Sequence, residues 1–291
     1  MSGRLAHAPS ILVLLALFCT GAAAKEPSVS GLAEVNGTRL FYEMAGRGRT
    51  IVLIHGGLVD ARLWDDQFRE FAKHYRVIRY DLRGFRRSGY PTGPFSHVDD
   101  LYALLKFLKV ERCSLVGLSL GSMIASDFAL EHPRMVERLV LTAPGLRGSP
   151  APRNERAREV YRLAETVGRD KAIDAWIEHD YFATGRRNNP AYVERIRAML
   201  RDNYKTWGPT PTQLVWNWPG RQTFERLHEI KAPTLIIVGD KDAAGILENA
   251  GFYESKIPGA RKVVMTDVSH HLVMEKAVEY NRLVLDFLRE K

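Results

Sequence analysis

The stretch from Cys113 to Met123, which reads CSLVGLSLGSM, constrains this chain more than any other. A short apolar run closes on Gly117-x-Ser119-x-Gly121, and a helix-like run from Met123 to Leu130 follows without a break. Strand, tight turn and helix in that order hold a serine at the apex of the turn, with its hydroxyl pushed out above a sheet. Glycine suits both flanks because a Cβ there would meet the neighbouring strand or helix. The Leu120 N–H would stand at the helix start, directed at any negative charge that forms beside Ser119. The same motif also occurs as a plain glycine-rich β–α turn carrying an idle serine. Its meaning depends on whether the chain supplies a base, an acid and a second N–H donor.

Before the elbow the chain alternates. Leu32 to Val35 and Thr38 to Glu43 flank Asn36-Gly37, the strongest short-range hairpin signal. Thr50 to Ile54 is an unbroken apolar run, as a strand buried on both faces requires, and His55-Gly56-Gly57 follows it. Two glycines let backbone approach a reacting atom, so Gly57 could offer the second donor; a simple strand-to-loop turn reads the same way. Trp64, Phe68, Phe71 and Tyr75 fall at helical spacing. Val77, Ile78 and Tyr80 form a second strand that leads to Asp81-Leu82-Arg83-Gly84-Phe85. A helix follows with Leu101, Leu104, Leu105 and Leu108 on its apolar side, its start marked by Asp99 and Asp100.

After the elbow helix, Val136 to Leu141 is one more strand, and then the pattern changes. From Leu146 to about Phe224 there are helical segments and no strand, with Tyr161, Trp176, Tyr181, Phe182, Tyr192 and Ile196 among their apolar residues. Thr234 to Val238 resumes the sheet and leads into Gly239-Asp240-Lys241-Asp242. Lys262 to Met265 leads into Ser269-His270-His271, and Glu275 to Leu288 closes the chain as a helix with Val278, Leu283, Val284 and Leu288 facing inward. The expected fold class is α/β: a mostly parallel central sheet flanked by helices, with an inserted helical cap at about residues 146–224.

Residues 1–24 stand apart from this fold. Arg4 and His7 precede the apolar run Ile11 to Phe18, and Ala22-Ala23-Ala24 offers a cleavage site. The run is too short to span a bilayer and ends in small residues, so a cleaved signal peptide and a secreted or periplasmic protein are expected, with residues 25–291 as the mature domain. That part keeps one cysteine, Cys113, and cannot form an internal disulfide; the core must hold it together. The net charge of +8 is dispersed without a run of five like charges, so no nucleic-acid partner is expected and no stable membrane insertion after cleavage. The cap is mildly basic, with eleven Lys or Arg against eight Asp or Glu over residues 151–201, which reads as solvated helix surface or as steering for an anionic substrate.

Every candidate reactive group follows the carboxyl end of an expected strand, the edge where open parallel sheets bind ligands. The chain order is Ser119, Asp242, His270. On His55-Gly56-Gly57, Asp81-Leu82-Arg83-Gly84, the Gly117–Gly121 elbow, Gly239-Asp240-Lys241-Asp242 and His270 with Glu275 five residues on, the chain resembles the α/β-hydrolase superfamily, in its capped branch, over essentially all of residues 31–291. The resemblance implies Ser119 as nucleophile, His270 as general base and Asp242 as the acid that orients it, with Leu120 and Gly57 as oxyanion donors. Asp240 and His271 are the neighbours that compete for two of these roles. His55 is expected to bond within its loop, and His74, His97, His132, His179 and His228 to be surface or packing residues. Three positions depart from the family pattern: Arg86 and Ser122, where small residues are usual, and Ser269, where glycine is.

A serine nucleophile implies an acyl-enzyme and a small-molecule ester or lactone substrate. Carbon–carbon bond hydrolases of diketone-type substrates share this triad and are the enzymatic alternative; a binding protein that has lost activity on the same fold is the alternative of another class. Epoxide and halide chemistry needs a carboxylate in the elbow, which Ser119 does not provide. No cysteine cluster, His-x-x-x-His pair or phosphate loop is present, so neither metal nor cofactor is expected.

Overall fold

A computed structural model describes residues 28–152, 155–203 and 216–290. The expected signal peptide lies outside the described residues.

The hairpin forms as its turn pair predicts. β1 (Val29–Val35) and β2 (Thr38–Ala45) pair antiparallel with Val35 opposite Thr38. Asn36 and Gly37 between them both have positive φ, 46° and 67°, which a two-residue turn matching strand twist demands. The sheet then continues through β3 (Thr50–Ile54) and β4 (Arg76–Tyr80), which are joined by a 3₁₀ turn at Ala61–Trp64 and α1 (Asp65–Phe71). α2 (His97–Phe107) leads to β5 (Cys113–Leu118), and α3 (Leu120–Glu131) to β6 (Val136–Thr142).

After β6 come α4 (Glu155–Thr166), α5 (Arg169–Ile177), α6 (Ala183–Asn188) and α7 (Pro190–Asp202). The short α8 (Thr223–Arg226) precedes β7 (Thr234–Gly239). α9 (Ala244–Lys256), β8 (Arg261–Met265), α10 (Leu272–Glu275) and α11 (Ala277–Arg289) complete the chain. The eight strands form one sheet in the order β1-β2-β4-β3-β5-β6-β7-β8. All pairs from β4 through β8 are parallel, so the carboxyl ends of β3, β5, β7 and β8 open on one edge. Every residue of β3, β5 and β7 is buried, as helices on both faces require.

Asp99 and Asp100 do signal the start of α2, and one boundary, that of the closing helix, differs from expectation. α2 begins at His97, capped by Ser96, whose Oγ accepts the Asp99 N–H. Asp99 and Asp100 lie inside its first turn, and Asp100 is turned inward to take a two-pronged hydrogen bond from Arg83 at 2.8 and 2.6 Å. The closing helix breaks at Lys276, and Val278 is 86% exposed rather than packed. Tyr280, Asn281, Val284, Leu285, Phe287 and Leu288 are the buried residues of α11, and Val278 lies ahead of them in its first turn.

His97 is a packing residue of an unusual kind. It is fully buried, its ring edge-on to Phe95 and Trp216 with centroids 4.8 Å from each, and among the described residues neither ring nitrogen has a hydrogen-bond partner. Burial pushes its pKa down to about 3, helped by His55 and the Arg83 cation. A depressed histidine stabilises the fold above its unfolded value, about 6.5, and that contribution disappears as pH falls toward the folded value. At pH 5 the loss from this one residue is about 2 kcal/mol. His97→Phe is therefore expected to reduce the fall in unfolding free energy between pH 8 and pH 5, measured by urea titration at both. Equal falls in the two proteins would show that His97 does not take up a proton on unfolding.

Candidate active site

Ser119 stands between β5 and α3 with φ 54° and ψ −108°, a region that costs a non-glycine residue about 1–3 kcal/mol. The surrounding backbone holds it there. Its N–H donates to the Thr142 carbonyl at 2.9 Å, and its carbonyl accepts from the N–H groups of Ser122, Met123 and Gly145. Close crossing explains the flanking glycines: a Cβ on Gly117 would lie 2.3 Å from the Gly121 carbonyl oxygen, and one on Gly121 2.1 Å from that of Ile54. Ser122 adds a bridge of its own. Its buried Oγ reaches the Gly117 carbonyl at 2.8 Å and accepts the Thr142 N–H at 3.1 Å, tying the elbow to β6.

The loop after β3 lies against the elbow, since a Cβ on Gly56 would be 3.6 Å from the Ser119 Cβ. His55 fixes this loop. Its Nδ1–H donates to the Gly56 carbonyl at 2.7 Å, and its Nε2 accepts the Leu82 N–H at 3.0 Å, so it joins two loops rather than one. Burial lowers its pKa, which keeps the ring neutral and able to accept. Among the described residues no backbone acceptor outside regular structure takes the N–H of Gly57 or Leu120.

Gly239 ends β7 beneath the histidine loop, where a Cβ would lie 2.3 Å from the Val268 carbonyl oxygen. Asp242 follows with its carboxylate fully buried, and His270 Nδ1 lies 3.0 and 3.1 Å from its two oxygens. A carboxylate only accepts, so Nδ1 carries a proton and donates it to Asp242. Asp240 is only half-buried, is 3.5 Å from Lys241, and bonds to neither histidine. His271 points elsewhere: its Nδ1 is 3.0 Å from the Tyr192 hydroxyl, and its ring stacks on Phe182 at 4.9 Å. Burial and the adjacent His270 push its pKa well below the ordinary range.

Topology brings Ser119, Asp242 and His270 to one sheet edge, at the ends of β5, β7 and β8. The Ser119 side is half-exposed, and no hydrogen bond within 3.5 Å joins its hydroxyl to another described residue. Such contacts are commonly long before substrate binds and tighten with it.

Sequence reasoning missed the grip of the cap on this edge. Glu275 accepts from the Ser269 N–H, the Ser269 hydroxyl and Thr184 of α6, and its burial raises its pKa. At the other end of the cap, Asn203 donates to the buried Asp60 at 2.9 Å and accepts the Arg86 N–H at 2.9 Å. The backbone of Arg86, at φ 37°, is thus a docking point for the cap, while its side chain is exposed. Among the described residues no group of three His, Cys, Asp or Glu is placed to hold a metal ion.

The sequence profile of the alpha/beta hydrolase fold matches residues 49–277. The chain belongs to this family. It is similar, at 27% identity over 277 residues covering 87% of this chain and 92% of the relative, to the 2-hydroxy-6-oxo-6-phenylhexa-2,4-dienoate hydrolase of Comamonas testosteroni. Among solved structures, the enol-lactonase of Burkholderia xenovorans LB400 superimposes with a TM-score of 0.74 at 29% identity, covering 89% of this chain and all of that one. A thermophilic esterase of Thermogutta terrifontis, with malate bound, does so with a TM-score of 0.76 at 26% identity over 90% of this chain and 98% of that one. The protein is a hydrolase with an eight-stranded, mostly parallel sheet, and the expected fold class stands as the sequence predicted it.

Proposed function

We propose that this protein is an exported serine hydrolase that cleaves a small carboxylic ester or lactone through an acyl-enzyme. The observation that carries the reading is the buried Asp242–His270 pair, with Nδ1 of the imidazole 3.0 Å from the carboxylate, on the sheet edge that also holds Ser119 at its strained turn. The similarity to an enol-lactonase and an esterase supports the substrate class.

The Ser119 Oγ attacks the substrate carbonyl carbon as its proton passes to His270 Nε2. The carbonyl π electrons move onto oxygen, where the N–H groups of Leu120 and Gly57 meet the new charge; losing one such donor raises the barrier by about 3 kcal/mol. Asp242 steadies the imidazolium without taking its proton. The tetrahedral species collapses, the C–O bond breaks, and His270 returns the proton to the departing alkoxide. Water then repeats the cycle on the acyl-enzyme, giving the carboxylic acid and free Ser119. In a lactone the alkoxide remains tethered to the acyl group, and one hydroxy acid results.

A second reading follows from the full-length similarity to the dienoate hydrolase: the same groups could serve carbon–carbon cleavage. Purified protein should be offered p-nitrophenyl acetate and butyrate, a five-membered enol lactone, and a 2-hydroxy-6-oxo-dienoate. Turnover of the ester or lactone at a kcat/KM at least about 100-fold above that of the dienoate, with irreversible labelling by a fluorophosphonate, is expected. The reverse preference would replace the ester reading by the carbon–carbon one. Labelling without turnover of any of the three would leave a serine hydrolase of another acyl class. Export is tested by fractionating the native cell and sequencing the mature N-terminus, expected at Lys25.

A further inference from the structure

His270 is gripped from the cap as well as from the sheet. Tyr181, in the single turn of 3₁₀ helix between α5 and α6, lays its ring on the imidazole with centroids 4.1 Å apart and planes within 17°. The contact spans 89 residues of sequence, and the backbone around it is pinned from both sides of the catalytic loop. The Ser269 hydroxyl, which also reaches Glu275 with its single proton, lies 3.0 Å from the Tyr181 carbonyl oxygen, and the His271 ring also hydrogen-bonds the Tyr181 backbone. The two sequence neighbours of His270 thus hold the residue that covers it. From the cap side, the Tyr181 N–H donates to His179 Nδ1 at 3.0 Å, and the ring meets Trp176 edge-on at 5.7 Å.

We infer that Tyr181 is a positioning residue for the general base, so that a docked cap is part of the catalytic machinery. The Asp242 carboxylate fixes one edge of the imidazole through Nδ1, but a single edge leaves the ring free to rock about that contact. A parallel aromatic face at van der Waals distance removes that freedom and keeps Nε2 in one direction. It also excludes water from that face, so the imidazolium formed during Ser119 attack meets a π surface, which attracts cations. The stack therefore favours the charged transition state over the neutral ground state, and such an interaction acts on kcat. The contact uses the phenyl ring and not the hydroxyl.

This inference rests on His270 being the base in the proposed hydrolase, and the test keeps the two separate. Tyr181→Phe, Tyr181→Leu and His270→Gln would be measured with p-nitrophenyl acetate, whose acyl group is too small to need a wall in the cap. Tyr181→Phe should retain kcat within about twofold, because the ring is kept. Tyr181→Leu should lower kcat by about tenfold with KM within about twofold. The downfield proton resonance of the His270 Nδ1–H against Asp242 should be sharp in the parent and in Tyr181→Phe and broadened in Tyr181→Leu. Should Tyr181→Leu fail to fold, Tyr181→Met takes its place with the same readouts.

A raised KM with kcat unchanged would make Tyr181 a substrate wall and overturn the inference. So would unchanged kcat and an unchanged resonance. Activity retained in His270→Gln would instead overturn the assignment of the base on which the inference stands. Loss of activity in His270→Gln with a fully active Tyr181→Leu removes only the role given to Tyr181.

Discussion

Ser119→Ala should lower kcat on p-nitrophenyl esters by about 10⁵- to 10⁶-fold and abolish fluorophosphonate labelling. In the proposed mechanism this removes the nucleophile and with it the acyl-enzyme route, and what remains is binding plus the oxyanion donors, which alone leave about 10³- to 10⁴-fold over water. The protein should stay folded. The hydroxyl is half-exposed and makes no hydrogen bond to a described residue, so its removal leaves no buried partner unpaired. The backbone strain at φ 54° remains in alanine but not in glycine. Ser119→Gly should therefore be equally inactive yet more stable than Ser119→Ala by about 1 kcal/mol in urea unfolding. Wild-type turnover in Ser119→Ala would overturn the serine mechanism. Equal stability of the alanine and glycine variants would mean that the elbow stores no strain.

The adjacent histidines should respond in opposite ways. In the proposed mechanism His270→Gln loses the group that takes the Ser119 proton, and kcat is expected to fall by about 10⁴-fold or more. His271→Gln keeps His270 and removes a buried ring that stacks on Phe182 and bonds Tyr192. Its effect should be on stability, about 1–3 kcal/mol, with kcat within about tenfold. Steady-state kinetics and urea unfolding on both variants decide the matter. An inactive His271→Gln beside an active His270→Gln would reverse the assignment.

What the sequence made legible was local. Asn36-Gly37 specifies its turn because few residue pairs tolerate positive φ twice in succession. Gly117 and Gly121 mark the elbow because any side chain would strike backbone barely 2 Å away. The reading of β3 and β7 as central strands holds because a strand covered on both faces has no room for polar alternation. Where local signals were weak, the expectation slipped. Acidic residues at 99 and 100 do fall in the first turn of α2, but nothing local showed that Ser96 supplies the cap or that Asp100 pairs with Arg83. Val278 is apolar yet faces solvent, because it stands in the first turn of α11, before the packed part of the helix begins at Tyr280.

The choice between His270 and His271 shows the division most clearly. Both have the same side chain on the same loop, and nothing in their own chemistry separates them. The fold does so by placing a buried carboxylate beside one and the Tyr192 hydroxyl beside the other. By itself the sequence determined the α/β alternation, the turn that exposes Ser119 and the strand ends that carry Asp242 and His270, because each is encoded by residues a few positions apart. The structure set the expected His270, and not His271, against Asp242, and it alone decided how Glu275 and Asn203 fasten the cap and that Tyr181 covers His270. Those contacts join residues 28 to 143 positions apart, and no sequence period reports a distance that the packing of the whole domain sets.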